Sequence, residues 1–365
     1  MSSDPATFYS RTRNARKIIV VDLGFLGDTV HLVPALWELK RNYSQAQLHV
    51  LTSTVGKEVL RLAPWLDRVW DLEMYRETRT LGQQLMTLRA VRSEQFEVAF
   101  LFSASDRAVW MTALTGARRR LGARGDRWHF YNRWLVHEWA AKPDPDLIVF
   151  EQRRRVLADC GLDLKPAEFN LTLDQPSTDW AAGVVPDLAL HISPSSAKAT
   201  REWPIEHHTA LLRTLWTEFP KLHVMISSSG RPREHQRLRT LETSVNDKRL
   251  HSLPGDFTIS QLAAVLRRCC LHIGPDSGVL HLAVALGVPT ISFFRQQGAY
   301  KSFMPSGALH QVISMPCYCI DQHHAPCEPL GRGECFVQIQ PGLVAELVRK
   351  RLSGDHRDSG TKRQQ

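Results

Sequence analysis

A chain of 365 residues is longer than one ordinary hydrophobic core supports and implies two domains. Hydrophobic residues at 43% and charged residues at 23% exclude a disordered or fibrous protein, and no apolar run is long enough to span a bilayer. A formal net charge of +9 favours an anionic partner, whether nucleic acid, an anionic membrane face or a phosphorylated substrate.

The opening MSSDPATFYSRTRNARK lacks the apolar middle of a signal peptide, so a cytoplasmic location is expected, and the 7 Cys are expected as thiols or metal ligands instead of a disulfide framework. Residues 1–16 read as a polar, basic, mobile leader. Residues 17–22 (KIIVVD) form a continuous apolar run of strand length, the mark of a buried parallel strand. A loop with Gly24, Gly27 and Asp28 leads into a helix over 29–42, with Val30, Val33, Leu36 and Leu39 on one face. The two glycines invite a dinucleotide-loop reading, but the full G-x-G-x-x-G is absent. A strand over 47–52, a helix over 55–63, a strand over 67–71, a helix near 79–93 and a strand over 97–102 follow. Such alternation predicts a parallel sheet with helices on both faces.

Between residues 103 and 146 the regularity falters. Arg118, Arg119, Arg120, Arg124, Arg127 and Arg133 stand among Trp128, Phe130, Tyr131 and Trp134. Basic and aromatic residues interleaved in this way suit a nucleic-acid strand, an anionic glycolipid near a membrane, or a solvated arginine face anchored by core aromatics. A helix over 151–160 precedes a polar passage over 161–187, where a linker is expected near 174–187. A second alternating series then runs through strand 188–192, loop 193–201, helix 205–218, strand 223–227, loop 228–233, helix 234–241, strand 250–253 and helix 260–268. The expected domains are therefore 17–180 and 181–350, with a polar tail over 351–365. Two such halves facing one another predict a ligand cleft at the carboxyl ends of their strands.

The stretch CLHIGPDSGVLHLAVALGVP over 270–289 reads as strand, tight turn and helix. The first N–H groups of such a helix can hold a phosphate or a developing oxyanion without a cationic side chain. Asp276 is then available to accept hydroxyl hydrogens from a sugar; alternatively Asp276 or Ser277 only caps its own helix.

Taken together, these residues resemble glycosyltransferase family 9, the ADP-heptose:lipopolysaccharide heptosyltransferases, over roughly residues 17–350. The marks are Leu26-Gly27-Asp28-Thr29-Val30-His31-Leu32-Val33-Pro34-Ala35-Leu36, the TGARRRLG segment at 115–122, His191-Ile-Ser-Pro-Ser-Ser196 with Trp203-Pro204, and Asp276-Ser-Gly278 with His281-Leu-Ala283. The resemblance implies a GT-B fold, an α/β architecture of two Rossmann-like domains facing across a cleft. It implies Asp28 as the general base that deprotonates an acceptor hydroxyl. It implies a nucleotide-sugar site in which Arg201, Ser195 and Ser196 meet the diphosphate and Glu234 the ribose. There Asp276, Ser277 and Gly278 meet sugar and phosphate, with His281 on the helix behind. Arg118, Arg119 and Arg120 are expected to contact an anionic glycolipid acceptor at the inner membrane face, with no nucleic acid, cofactor or metal needed. Transfer is expected to invert the anomeric carbon.

Several positions depart from the family pattern. Asp22 stands where Lys or Arg is usual, Gly24 where a small hydroxyl residue is usual, Ser277 where Thr is usual, and Phe293-Phe294-Arg295 replaces the usual glycine, bringing a cation. A carboxylate at 22 is expected to repel phosphate or to raise the pKa of Asp28. Cys317-x-Cys319, Cys327 and Cys335, with His323 and His324 nearby, have the composition of a four-thiolate metal site, with buried thiols as the alternative. In the autotransporter branch of the family a cysteine cluster holds iron, which makes a protein acceptor one alternative. A non-catalytic nucleotide-sugar or nucleic-acid binder on the same fold is the other.

Overall fold

The structure, a computed structural model, describes residues 7–73, 81–103, 105–125, 129–253, 256–296, 298–317, 327 and 329–353. Its chain divides into two compact units. The first comprises residues up to Thr178 together with Thr258–Ala263, and the second Asp179–Phe257 with Ala264 onward.

In the first unit, strands β1 (Lys17–Val21), β2 (Gln47–Ser53), β3 (Arg68–Leu72), β4 (Val98–Leu101), β5 (Arg119–Ala123) and β6 (Glu138–Ala140) form one sheet in the order β3-β2-β1-β4-β5-β6. Every pairing is parallel. Ile18, Ile19, Val20 and Val21 are fully buried, as a central strand covered by helices on both faces requires. Burial of each such side chain contributes about 1.5–3 kcal/mol. Helix Leu26–Asn42 follows β1, and helix Val149–Asp159 packs against it through Arg154, which reaches buried Glu38 at 3.2 Å.

The second unit repeats the plan. β7 (Ala189–Ile192), β8 (His223–Ile226), β9 (Leu250–Ser252), β10 (His272–Pro275), β11 (Thr290–Arg295) and β12 (His310–Met315) pair in parallel in the order β12-β11-β10-β7-β8-β9. Its core gathers around fully buried Trp203, whose indole N–H donates to the Ile339 carbonyl at 2.9 Å. In each unit the order of strands reverses beside the first strand, and the loops leaving that point are where α/β sheets place ligands.

Three expectations are corrected. Residues 8–12, expected within a mobile leader, form helix Phe8–Thr12, because Phe8 is buried against Phe100 at 5.7 Å between ring centroids. The linker expected near 174–187 contains helix Gln175–Val184, started by Asp174 accepting from the Ser177 N–H at 2.7 Å. The irregular passage over 103–146 holds helix Asp106–Leu114, β5, helix Asn132–Leu135 and β6. The tail beyond 353 lies outside the described residues. Among the described residues no helix is long and apolar enough to cross a membrane.

Candidate functional site

In the first unit the loop leaving β1 is built around Asp22. Its carboxylate is wholly buried; Oδ1 accepts from the Gly24 N–H at 2.9 Å, and Oδ2 lies 3.0 Å from Arg153 Nη2. Burial raises the Asp22 pKa most, the Arg153 charge and the Gly24 hydrogen bond oppose the rise, and Asp28 adds to it. The same guanidinium donates through Nη1 to the Asp28 carbonyl. Arg153 thus offsets the carboxylate that stands at position 22. Sequence reasoning did not name it, although an arginine in line with Val149, Val156 and Leu157 on an amphipathic helix signals a buried anion.

Asp28 is half-buried at the third position of helix Leu26–Asn42, where its Oδ2 accepts from the Phe25 N–H at 3.0 Å. One oxygen therefore closes a capping interaction, and the other has no hydrogen-bond partner in the loop. Gly24 makes this arrangement possible. A Cβ there would stand 2.4 Å from Asp28 Cβ and 2.9 Å from Asp22 Oδ1, so a side chain at 24 collides with the carboxylate.

In the second unit, three loops leave the carboxyl ends of β8, β7 and β10. From the last of these, Asp276 accepts from Arg201 Nη1 through Oδ2 at 3.1 Å, while its Oδ1 lies 3.3 Å from His281 Nε2. Arg201, Asp276 and His281 are thus brought together, the carboxylate shared between two basic partners. Ser277 caps helix Gly278–Ala285, its Oγ accepting from the Leu280 N–H at 3.4 Å, and Gly278 is the first helical residue. Ser195 and Ser196 are buried in the loop after β7, where the Ser195 hydroxyl lacks a hydrogen-bond partner among the described residues. Glu234, buried at the start of helix Pro232–Val245, accepts from the Ser229 N–H at 3.0 Å across a turn in which Gly230 has φ +79°.

That loop is held by residues the sequence did not single out. Buried Glu202 accepts from the Ser196 N–H at 2.9 Å and pairs with Arg233 at 2.7 Å and Arg237 at 3.4 Å; Arg237 also donates to the Pro194 carbonyl at 2.8 Å. Beneath it, His191 and His272 lie Nδ1 to Nδ1 at 3.0 Å, and His191 Nε2 meets Ser227 Oγ at 3.0 Å. Burial pushes His191 down to about 3 and lowers His272 too, so both rings are neutral parts of the scaffold.

Other expected site residues stand elsewhere. Arg118 and Arg119 lie at the amino-terminal end of β5, whose parallel register with β4 and β1 sets them at the edge opposite the Asp28 loop. Arg120 is spent on structure, donating to the Leu135 carbonyl at 2.6 Å and the Ala117 carbonyl at 2.8 Å. Arg295 is buried at the end of β11, where its charge opposes the rise that burial and the neighbouring Cys317 and Cys327 impose on Cys335, pushed up to about 11. Cys319, His323 and His324 lie outside the described residues, among which no group of three or more His, Cys, Asp or Glu is placed to hold a metal ion. The described Cys317, Cys327 and Cys335 are buried and form no disulfide among the described residues.

The sequence profile of Glycosyltransferase family 9 (heptosyltransferase) matches residues 85–329. Lipopolysaccharide core heptosyltransferase OpsX of Haemophilus influenzae is 21% identical over 83% of this chain and 86% of its own length. Lipopolysaccharide heptosyltransferase 2 of Escherichia coli is 20% identical over 76% of this chain and 82% of its own length. Among solved structures, E. coli ADP-heptose lps heptosyltransferase II superposes with a TM-score of 0.76 at 17% identity, covering 93% of this chain and 99% of its own. E. coli heptosyltransferase WaaC with ADP-2-deoxy-2-fluoro heptose superposes at 0.69 with 15% identity, covering 92% and 99%. At these identities the superpositions establish a shared two-domain α/β fold, that of the GT-B heptosyltransferases.

Proposed function

The chain belongs to glycosyltransferase family 9, the heptosyltransferase family, and from that membership we propose that it moves a heptose, or a related sugar, from ADP-heptose onto a lipopolysaccharide inner-core type acceptor at the inner membrane face. The acceptor hydroxyl oxygen forms the new bond to the anomeric carbon as the bond from that carbon to the diphosphate breaks. The hydroxyl proton passes to Asp28, and ADP departs. Attack opposite the leaving group inverts the anomeric centre.

The observation that carries this reading is the Asp28 carboxylate: half-exposed, pinned by the Phe25 N–H through one oxygen, and seated on a loop that admits only glycine at 24. A base held this way is preorganised to accept a proton. For the departing diphosphate, Arg201 brings a guanidinium beside Asp276, the Ser195 hydroxyl lacks a hydrogen-bond partner among the described residues, and the helix starting at Gly278 offers backbone N–H groups. These donors can stabilise leaving-group charge without a divalent cation. Glu234 is assigned to the nucleotide ribose. Of the arginine run, Arg124, which follows the carboxyl end of β5, replaces Arg118 and Arg119 as the acceptor contact on the Asp28 edge.

Calorimetric titration with ADP, GDP and UDP in the presence of EDTA tests the donor assignment. ADP is expected to bind selectively, and binding is expected to vanish in Arg201→Ala and Glu234→Ala. Asp28→Ala is expected to keep ADP binding while transfer falls roughly 10²–10⁴-fold. Retained turnover in that variant removes Asp28 from the mechanism, and binding of no nucleotide removes the transferase reading.

A further inference from the structure

Phe and Trp side chains are normally covered, and the four that are exposed among the described residues are not scattered. Phe25, Trp110, Phe130 and Trp134 all belong to the first unit and all sit on segments that follow β1, β4 and β5, three neighbouring strands. Because these strands are parallel, the segments emerge at one edge of the sheet, the edge that carries Asp28. Phe130 and Trp134 are 80% and 79% exposed.

They are displayed on a supported base. Tyr131 touches Phe130 at 5.6 Å, Trp110 at 5.6 Å and His129 at 5.1 Å between ring centroids, and it packs with Leu135 and Trp139 against a small core of Leu101, Ala108, Val109 and Val136. Helix Asn132–Leu135 buries Asn132 and turns Arg133 and Trp134 outward. Arg124 precedes the aromatic turn and is exposed, as is Arg133 within it. Asp106, the acid on the neighbouring helix, lies 3.5 Å from His129.

Exposed aromatic rings rimmed by arginine suit a bilayer surface, where the rings settle among glycerol and upper acyl groups and the guanidinium groups meet phosphate. We infer that Phe130 and Trp134, with Arg124 and Arg133, dock the first unit onto an anionic lipid bilayer and so present the Asp28 edge to an acceptor anchored there. The role for the acceptor rests on the function proposed above; docking itself does not.

Flotation of the full-length protein with phosphatidylcholine vesicles, with and without phosphatidylglycerol, tests the docking. Binding is expected to the anionic vesicles, weakening with salt. Phe130→Ser with Trp134→Ser is expected to lower that binding roughly tenfold or more, and Arg124→Glu with Arg133→Glu to abolish its salt-sensitive part. Leu343→Ser, at an exposed apolar site in the second unit, is expected to leave binding unchanged. Unchanged thermal midpoints would show that the variants are folded. Failure of the parent to bind either vesicle, or parent-like binding by the aromatic double variant, overturns the inference. So does binding of a single-stranded oligonucleotide, instead of vesicles, through the same aromatics. Asp28→Asn is expected to dock normally, so loss of chemistry and loss of docking are separable. The aromatic double variant is expected to keep transfer to a delipidated acceptor and to lose it on an acceptor embedded in vesicles.

Discussion

In the first unit the loop after β1 closes around a carboxylate sealed from solvent and neutralised by an arginine from a distant helix. In the second, the loops after β7 and β10 close around Arg201 and Asp276, a pair left partly open. The sheets have the same strand order, and both loops leave at the point where that order reverses. The difference is therefore one of use. A sealed pair fixes backbone, and here Arg153 holds both the Asp22 carboxylate and the Asp28 carbonyl, so the loop carrying Asp28 is rigid from below. A partly open pair leaves the charged groups within reach of solvent, as the anion-binding role proposed for Arg201 requires.

The largest effect should come from breaking the sealed pair. Arg153→Met leaves Asp22 buried without its cation and is expected to cost about 3–5 kcal/mol, seen as a lowered thermal midpoint. Arg201→Met, at a pair that keeps some contact with solvent and leaves Asp276 beside His281, should cost less than Arg153→Met by the same measurement. The pH dependence sharpens the contrast. Burial raises the folded pKa of Asp22 above its ordinary 3.8, so between those two values the folded state holds more protons than the unfolded one. Stability from this group is complete below about pH 3.8 and falls as pH rises through the folded pKa. Removing Arg153 removes the attraction that opposes the rise, so the decline should steepen and extend to higher pH. Adding Asp22→Asn to Arg153→Met should flatten the profile and recover much of the midpoint; a profile unchanged by Arg153→Met would mean that the pair does not set the charge of the loop.

A smaller effect is expected at Gly24. Its nearest obstacle is Asp28 Cβ, an atom close to the backbone that cannot swing away, so Gly24→Ala must shift the base or its helix. Overpacking of this kind costs about 1–3 kcal/mol. Turnover should fall while ADP affinity in calorimetry stays at the parent value, because the second unit is untouched. Gly24→Ser, which restores the residue type usual at this position in the family, should behave the same way, since the collision is with Cβ.

These cases show where the sequence was legible. Strand β1 announces itself because a strand covered on both faces reads as a continuous apolar run, and Asp276 stands at the turn that ends β10. Asp28, Arg201 and His281 were singled out only by the resemblance to the family, because an aspartate, an arginine or a histidine in such places is as readily a cap, a surface cation or a core residue. Arg153 was hidden because its partner is remote in the chain, and only the burial of both reveals the pair. Arg118 and Arg119 misled because a composition run carries no direction: the strand begins at Arg119, which sets both at the far edge. The helix Phe8–Thr12 was missed because five residues carry too little periodicity, and its support comes from Phe100 across the sheet.

The smallest effect separates two roles for Ser277. Its hydroxyl caps the helix at Gly278, and at 3.4 Å to the Leu280 N–H the bond is long, so Ser277→Ala should cost near the lower end of the 0.5–2 kcal/mol range for caps, about 0.5 kcal/mol. Ser277→Thr keeps the hydroxyl and should move stability by only about a few tenths of a kcal/mol. If capping is the whole role, ADP affinity in Ser277→Ala will match the parent. A drop that Ser277→Thr restores would show that the hydroxyl also donates to the nucleotide, which would make this helix start, unlike the one carrying Asp28, a place where side chain and backbone bind the same anion.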